Sequence, residues 1–385
     1  MIKLLGTGLI AFLLYFLQNK LYARLWNRNL SVSVVFSQKT IFEGEQGELK
    51  EIIENRKHLP LSMLKVKFQT SRYLLFEDAK GSRTTDRFYR NDIFHIGGGE
   101  RITRYLKFIG GRRGFYTIDS VDLVASDLFL TSQFVDNTGQ KEEIYVYPRP
   151  FDTREFRLSL QQLNGEVLAR RHLLTDPFEY RGIREYQPYD DLKSINWKAT
   201  AKTGELKVNQ QGYTALQSIR IFFNIQDDNI MKKTECVEAS LQITAGLCAY
   251  FLEEGLQIAC YGNGRDILSG APVSVSARAG TGQLETVLRA LARVDTQKPV
   301  FDFAEQFEEQ LLTQAKGTVT CFVAPNHYEN FLKVIEKYQE AGEEYLWFYP
   351  IMGDREPDLS ESGKITGEMS LNLDQIKKHI HFLSI

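Results

Sequence analysis

The stretch that decides the reading of this chain is RGIREYQPYDDLKSINWKATAKTGELKV, residues 181–208. Tyr180, Gly182, Arg184 and Tyr186 alternate along an extended segment that Pro188 ends, because proline lacks the N–H a strand needs. Asp190 or Asp191 is placed to cap a short helix, with Leu192, Ile195 and Ala199 on one face. Thr203-Gly204 closes that helix, and Glu205-Leu206-Lys207-Val208 resumes as a strand. Arg181, Arg184, Asp190, Asp191, Asn196, Trp197, Lys198 and Lys202 crowd this segment more densely than a connecting loop requires. Two readings are open. One is a network of ion pairs and hydrogen bonds that locks the segment in place, with Tyr186 and Trp197 as packing residues. The other is a docking or regulatory surface in which arginine is an interface anchor.

Beyond Gln210 the hydrophobic period lengthens. Residues 216–225 read as a buried strand, 235–253 as a long helix with Val237, Leu241, Thr244 and Cys248 at helical spacing, and 256–262 as a second strand. Helices over 283–294, 303–312 and 328–340 alternate with strands over 318–324 and 345–351, which implies a parallel sheet covered on both faces. Before the segment, residues 30–150 keep a period of two, as in SVSVVF at 31–36 and LKVKF at 64–68, punctuated by Gly44, Gly47, Gly81 and Gly110-Gly111. That pattern predicts an antiparallel β-sandwich of immunoglobulin or fibronectin outline. The expected parts are a membrane anchor over 1–22, the sandwich over 28–150, a linking segment over 151–215 and the α/β sheet over 216–385.

The anchor is read from LLGTGLIAFLLYFL at residues 4–17. Such a run covers about 21 Å of helix against a ~30 Å hydrocarbon core. Lys3 and Lys20 reaching outward, with Tyr15, Tyr22 and Trp26 at the headgroups, extend the usable span to residues 2–21. NKLYARLWNRN offers no convincing cleavage site. The expectation is a single-pass protein of the cell membrane, held in the lipid bilayer. Lys20, Arg24 and Arg28 place its bulk in the cytoplasm.

Composition narrows the function. With 43% hydrophobic and 25% charged residues in a chain of 385, disorder, collagen and a polytopic membrane protein are excluded. Lys and Arg total 47 against 49 Asp and Glu, so no chain-wide electrostatic grip on nucleic acid exists; the basic run 101–113 reads as a solvated strand face. The four cysteines lie in apolar surroundings and read as buried thiols of a reducing compartment. No HExxH or GxSxG is present, and neither Gly262-Asn263-Gly264 nor Gly280-Thr281-Gly282 completes a nucleotide-binding loop.

Residues 184–208 are similar to the signature of the bacterial family known as domain of unknown function 58, approximately RxYxPGDxxRxIxWxxxARxxxLxV. Arg184, Tyr186, Pro188, Asp190, Ile195, Trp197, Ala201, Leu206 and Val208 match it, while Tyr189 replaces a glycine and Lys193 and Lys202 replace arginines. Glu43-Gly44-Glu45, Asn55 with Leu59-Pro60, RRGFY at 112–116 and Val146-Tyr147-Pro148 are further family-like marks. The resemblance implies a membrane-anchored protein with a β-rich middle and a von Willebrand factor type A-like C-terminal domain, an α/β fold with a Rossmann-like parallel sheet. It also implies a MoxR-type AAA+ ATPase as partner, often beside a membrane transglutaminase-like protein. A metal-binding type A domain carries Asp-x-Ser-x-Ser after its first strand. Asn224, Gln226 and Asp228 stand at those positions here, and Thr281 is the candidate for a distant threonine ligand. Amide oxygens are weaker, uncharged ligands, so no metal and no cofactor are expected. The function implied is a non-enzymatic interaction module serving assembly or maturation of envelope components. A metal-dependent hydrolase and an extracellular adhesion module are the alternatives.

Overall fold

Alternating apolar and polar residues in the first half of the chain become strands with one buried face. The computed structural model describes residues 2–78, 81–152, 176–188, 190–212, 218–228, 232–306, 318–340, 345–353 and 379–384. These fall into two units, Met1–Arg149 and Pro150–Ile385.

The first unit begins with helix α1 (Ile2–Leu25) and continues with β1 (Leu30–Phe36), β2 (Thr40–Phe42), β3 (Gln46–Asn55), β4 (Leu61–Ser71), β5 (Leu74–Phe76) and β6 (Ser82–Thr84). It ends with β7 (Arg87–Ile96), β8 (Arg101–Gly110), β9 (Gly114–Ile118), β10 (Val121–Ser126), β11 (Gln133–Asn137) and β12 (Glu142–Tyr147). The strands form three sheets, ordered β1-β3-β8-β5, β11-β10-β4-β7-β6 and β2-β12-β9. Leu49, Ile53 and Phe108 from the first sheet and Leu64, Val66 and Phe88 from the second share one core.

Charge interrupts that core. Glu51 on β3 lies opposite Arg104 on β8, and Arg90 and Asp92 on β7 also turn inward. Asp92 accepts from Arg90 Nε at 2.6 Å and from an Arg104 guanidinium nitrogen at 2.9 Å, tying the two sheets together. Asp78 completes the bridge at the rim, 2.9 Å from Arg104. Glu51 is fully buried and neither of its oxygens accepts a hydrogen bond, although Arg104 Nε lies 4.0 Å from one of them. Burial first, and then the Asp92 charge, lifts its carboxyl to about 8.

The structure corrects the expected anchor. The C-terminal third of α1 is seated on the β unit: Gln18 donates to Asp127 at 2.8 Å, Asn19 to Ser132 at 2.9 Å, and buried Tyr22 to the Pro60 carbonyl at 2.9 Å. Trp26 is buried in the same core. The stretch ahead of Gln18 is about 24 Å of helix, short of a ~30 Å hydrocarbon core. Among the described residues no helix is long and apolar enough to cross a membrane. The single-pass span over residues 2–21, and the cell-membrane placement with a cytoplasmic bulk that rested on it, are therefore withdrawn.

The second unit opens with β13 (Asp176–Glu185), α2 (Trp197–Thr203) and β14 (Lys207–Gly212), followed by β15 (Ser218–Phe223) and α3 (Thr234–Glu253). Then come β16 (Gln257–Asp266), β17 (Pro272–Arg278), α4 (Thr281–Ala292) and β18 (Val294–Asp295). The last elements are β19 (Val319–Val323), α5 (Glu329–Glu340), β20 (Tyr345–Ile351) and β21 (Ile380–Ser384). Strands β16, β15, β19, β20 and β21 lie side by side and parallel, while β17 and β18 pair antiparallel to β16. The four cysteines are free and buried. An aromatic core of Phe222, Phe303, Phe322, Phe331 and Trp347 fills one side of the sheet, with Phe331 edge-on to Trp347 at 5.0 Å. Each such side chain contributes about 1.5–3 kcal/mol on burial. Of the helix expected over 303–312, the part from 307 onward lies outside the described residues.

The expected fold class needs the same correction. A von Willebrand factor type A-like α/β domain preceded by a transmembrane helix is not what forms. The spanning helix is missing among the described residues, the first unit builds three sheets, and strand predominates, with twenty-one strands described. The C-terminal sheet is mixed, because Val273 and Val275 alternate on a strand that folds back along β16.

Candidate protein-docking site

The segment 182–208 folds on itself as a small lobe. β13 and β14 pair antiparallel, with Glu185 opposite Lys207 and Arg184 opposite Val208. The Asp190 carboxylate turns the chain by accepting the Gln187 N–H at 2.8 Å and both Arg184 guanidinium nitrogens at 2.6 Å each. That fork-on-carboxylate geometry is the strongest kind of ion pair, and the Arg184 hydrogen bonds hold Asp190 below the usual carboxylate range. Pro188 is exposed in this turn.

Each helical piece is then capped by a side chain of its own. Asp191 accepts from the Lys193 N–H and starts a 3-10 turn over Leu192–Ser194. Asn196 accepts from the Ala199 N–H at 2.9 Å as N-cap of α2, and its amide donates to Asn209 on β14 at 2.6 Å. Gly204 ends α2 in the left-handed region, φ 76°, which any side chain would make costly. Lys207 reaches both Glu185 at 3.2 Å and Glu205 at 3.3 Å, and its ammonium is held above its ordinary pKa chiefly by the Glu185 bond. Ile195 and Val208, bridged across the hairpin, are the buried apolar pair at the lobe's centre.

Two residues sit where the sequence did not place them. Trp197 is 67% exposed and Leu192 is 67% exposed, so neither packs inside the lobe. Of the two readings open for Trp197 the packing one does not hold, and Leu192 and Ala199 fall in separate helical pieces rather than on one helix face with Ile195. Tyr186 is half-buried, and its N–H donates to the Leu206 carbonyl at 2.9 Å. Lys193, Lys198 and Lys202 are exposed. Arg181 lies on β13; Tyr189 lies outside the described residues. Asn209, which completes the Asn196 bond, was not singled out by the sequence. Its only signal is an amide in a strand otherwise paired with the signature.

The second constellation, Asn224, Gln226 and Asp228, follows the end of β15. Here Asn224 Oδ1 accepts from Asn263 at 2.8 Å and from the Gln226 N–H at 3.0 Å, while Asn263 accepts the Ile225 N–H at 2.9 Å. Asn326 donates to the Gln226 carbonyl at 2.8 Å, and Gln226 donates to Asp228 at 2.5 Å. The amides are spent on one another, fixing the loops at the ends of three parallel strands. Thr281 is not brought there. β17 runs back to the level of Ile258 before α4 begins, and Gln283 on α4 donates to the Ile258 carbonyl. Ile258 pairs with Ile219, about 16 Å along the strand from Asn224. Among the described residues no three His, Cys, Asp or Glu side chains converge on a metal position. The sequence missed Asn263 as the link in this network because GNG was weighed only as a nucleotide loop.

No protein-family model matches the chain, and no curated protein matches it. Solved structures resemble parts of it. A CARDB domain from Pyrococcus furiosus, crystallised with di-metal ions, aligns at 13% identity and TM-score 0.21, over 30% of this chain and 84% of that one. A non-cellulosomal cohesin from Archaeoglobus fulgidus aligns at 12% identity and TM-score 0.21, over 34% and 97%. The sporulation control protein Spo0M of Bacillus subtilis aligns at 15% identity and TM-score 0.18, over 31% and 49%. The CARDB and cohesin domains are β-sandwiches, not type A domains. Likenesses this slight carry no inference about what the chain binds.

Proposed function

We propose that the chain is a non-enzymatic protein-interaction module that docks its partner through the lobe formed by residues 182–208. The carrying observation is Trp197, exposed on a lobe whose own fold is completed by the Arg184–Asp190 fork, the Asn196 cap and the Ile195–Val208 pair. An indole 67% exposed packs little against the lobe, and tryptophan is among the residues that dominate protein interfaces. The resemblance of 184–208 to the family signature supplies the partner class, a MoxR-type AAA+ ATPase. The test uses the full chain and a purified MoxR-type AAA+ ATPase with ATP, followed by sedimentation. Complex formation is expected, with Trp197→Ala weakening it at least tenfold while the circular dichroism spectrum is unchanged. Undiminished affinity in that variant would overturn the proposal.

A further inference from the structure

We infer that the lobe recognises a partner segment that is acidic and carries an apolar side chain, an inference that rests on the docking reading above. Among the described residues of the lobe Asp190 pairs with Arg184, Glu185 and Glu205 share Lys207, and Asp191 accepts the Lys193 N–H while keeping its charge. Lys193, Lys198 and Lys202 form no ion pair among the described residues. Across residues 182–208 five Lys and Arg stand against four Asp and Glu, and on α2 itself Lys198 and Lys202 are the charged residues, beside the exposed Trp197.

The arrangement on α2 sharpens the match. Lys198 and Lys202 stand one helical turn apart, and Trp197 and Ala201 form the adjacent row about 100° around the axis. Carboxylates spaced one turn apart beside an apolar residue complement those two rows. The apolar part is what distinguishes this surface from a simple counter-ion site: the indole and the Leu192 side chain lose water only against an apolar partner. A nucleic-acid strand is a poorer occupant, since a single aromatic and three lysines provide neither successive stacking platforms nor a groove of charge along a backbone.

Trp197 also provides the readout, because Trp26 and Trp347 are buried. In the full chain, iodide should quench Trp197 emission more than caesium does, and the difference should vanish in the combined variant Lys193→Gln, Lys198→Gln, Lys202→Gln. A synthetic amphipathic Glu/Leu peptide should then shift the emission to the blue and protect it from iodide. The combined lysine variant should bind that peptide about tenfold more weakly, the sum of three exposed ion pairs, as should raised salt. A Lys/Leu peptide, single-stranded DNA or anionic vesicles binding as tightly as the Glu/Leu peptide would overturn the inference, as would an unaffected lysine variant. The two claims separate cleanly. Acidic-peptide binding without ATPase binding keeps this inference and rejects the ATPase as partner. ATPase binding that is indifferent to the lysines keeps the ATPase and rejects this inference.

Discussion

Trp347 and Trp197 stand in the same unit and are used in opposite ways. Trp347 is fully buried on β20, edge-on to Phe331, with its indole N–H donating to the Ala324 carbonyl at 3.3 Å. The sheet around it is held by aromatic burial. In the lobe, stability comes from polar closure: a bidentate ion pair, two side-chain caps and a glycine stop, around a single buried aliphatic pair. A scaffold held by hydrogen bonds does not consume its apolar side chains. Trp197 and Leu192 are left outside, and that difference is why the docking proposal rests on the lobe rather than on the aromatic core.

The comparison is most sharply tested by removing each indole. Trp347→Ala should cost about 3–5 kcal/mol, the range for large aromatic truncations in a packed core, and should be read from the urea midpoint of the second unit. A loss below about 1 kcal/mol would mean that the aromatic core is not what holds the sheet. The charged core of the first unit gives the next effect. The Glu51 carboxyl moves from an ordinary 4.5 up to about 8, so the fold favours its protonated form. Its stabilising contribution is whole below about pH 4.5 and is lost as the pH rises toward about 8. Glu51→Gln should flatten that decline and leave the first unit more stable than the parent at about pH 8, measured by urea unfolding of the full chain. A decline identical in parent and variant would show that Glu51 does not govern it. Smallest is the stability effect of Trp197→Ala, expected within about 0.5 kcal/mol of the parent. A drop comparable to that of Trp347→Ala would make Trp197 a packing residue after all.

Local periodicity carried far into this chain. The helix read over 235–253 forms as Thr234–Glu253, and that read over 283–294 forms as Thr281–Ala292, because each has a full apolar face to bury. The stop at Gly204 forms at the expected place, whereas the single helix expected after Asp190 or Asp191 is split into a 3-10 turn capped by Asp191 and α2 capped by Asn196. What periodicity could not supply was tertiary partnership. Residues 4–17 form an apolar run, yet the helix is not long and apolar enough to span, and Gln18, Asn19 and Tyr22 find partners on the β unit more than a hundred residues away, or beside Pro60. Trp197 has the composition of a core residue, and only the closure of the lobe by polar groups leaves it outside. Arg90, Asp92 and Glu51 occupy inward strand positions that alternation alone would assign to aliphatic side chains; the Asp92–Arg104 bond that crosses the two sheets leaves no trace in spacing.

The most direct test of the docking account is hydrogen–deuterium exchange on the full chain with and without a MoxR-type AAA+ ATPase and ATP. The account predicts added protection of backbone amides across residues 192–203, with the aromatic sheet unchanged. Protection confined to other elements, with the lobe exchanging as in the free chain, would contradict it.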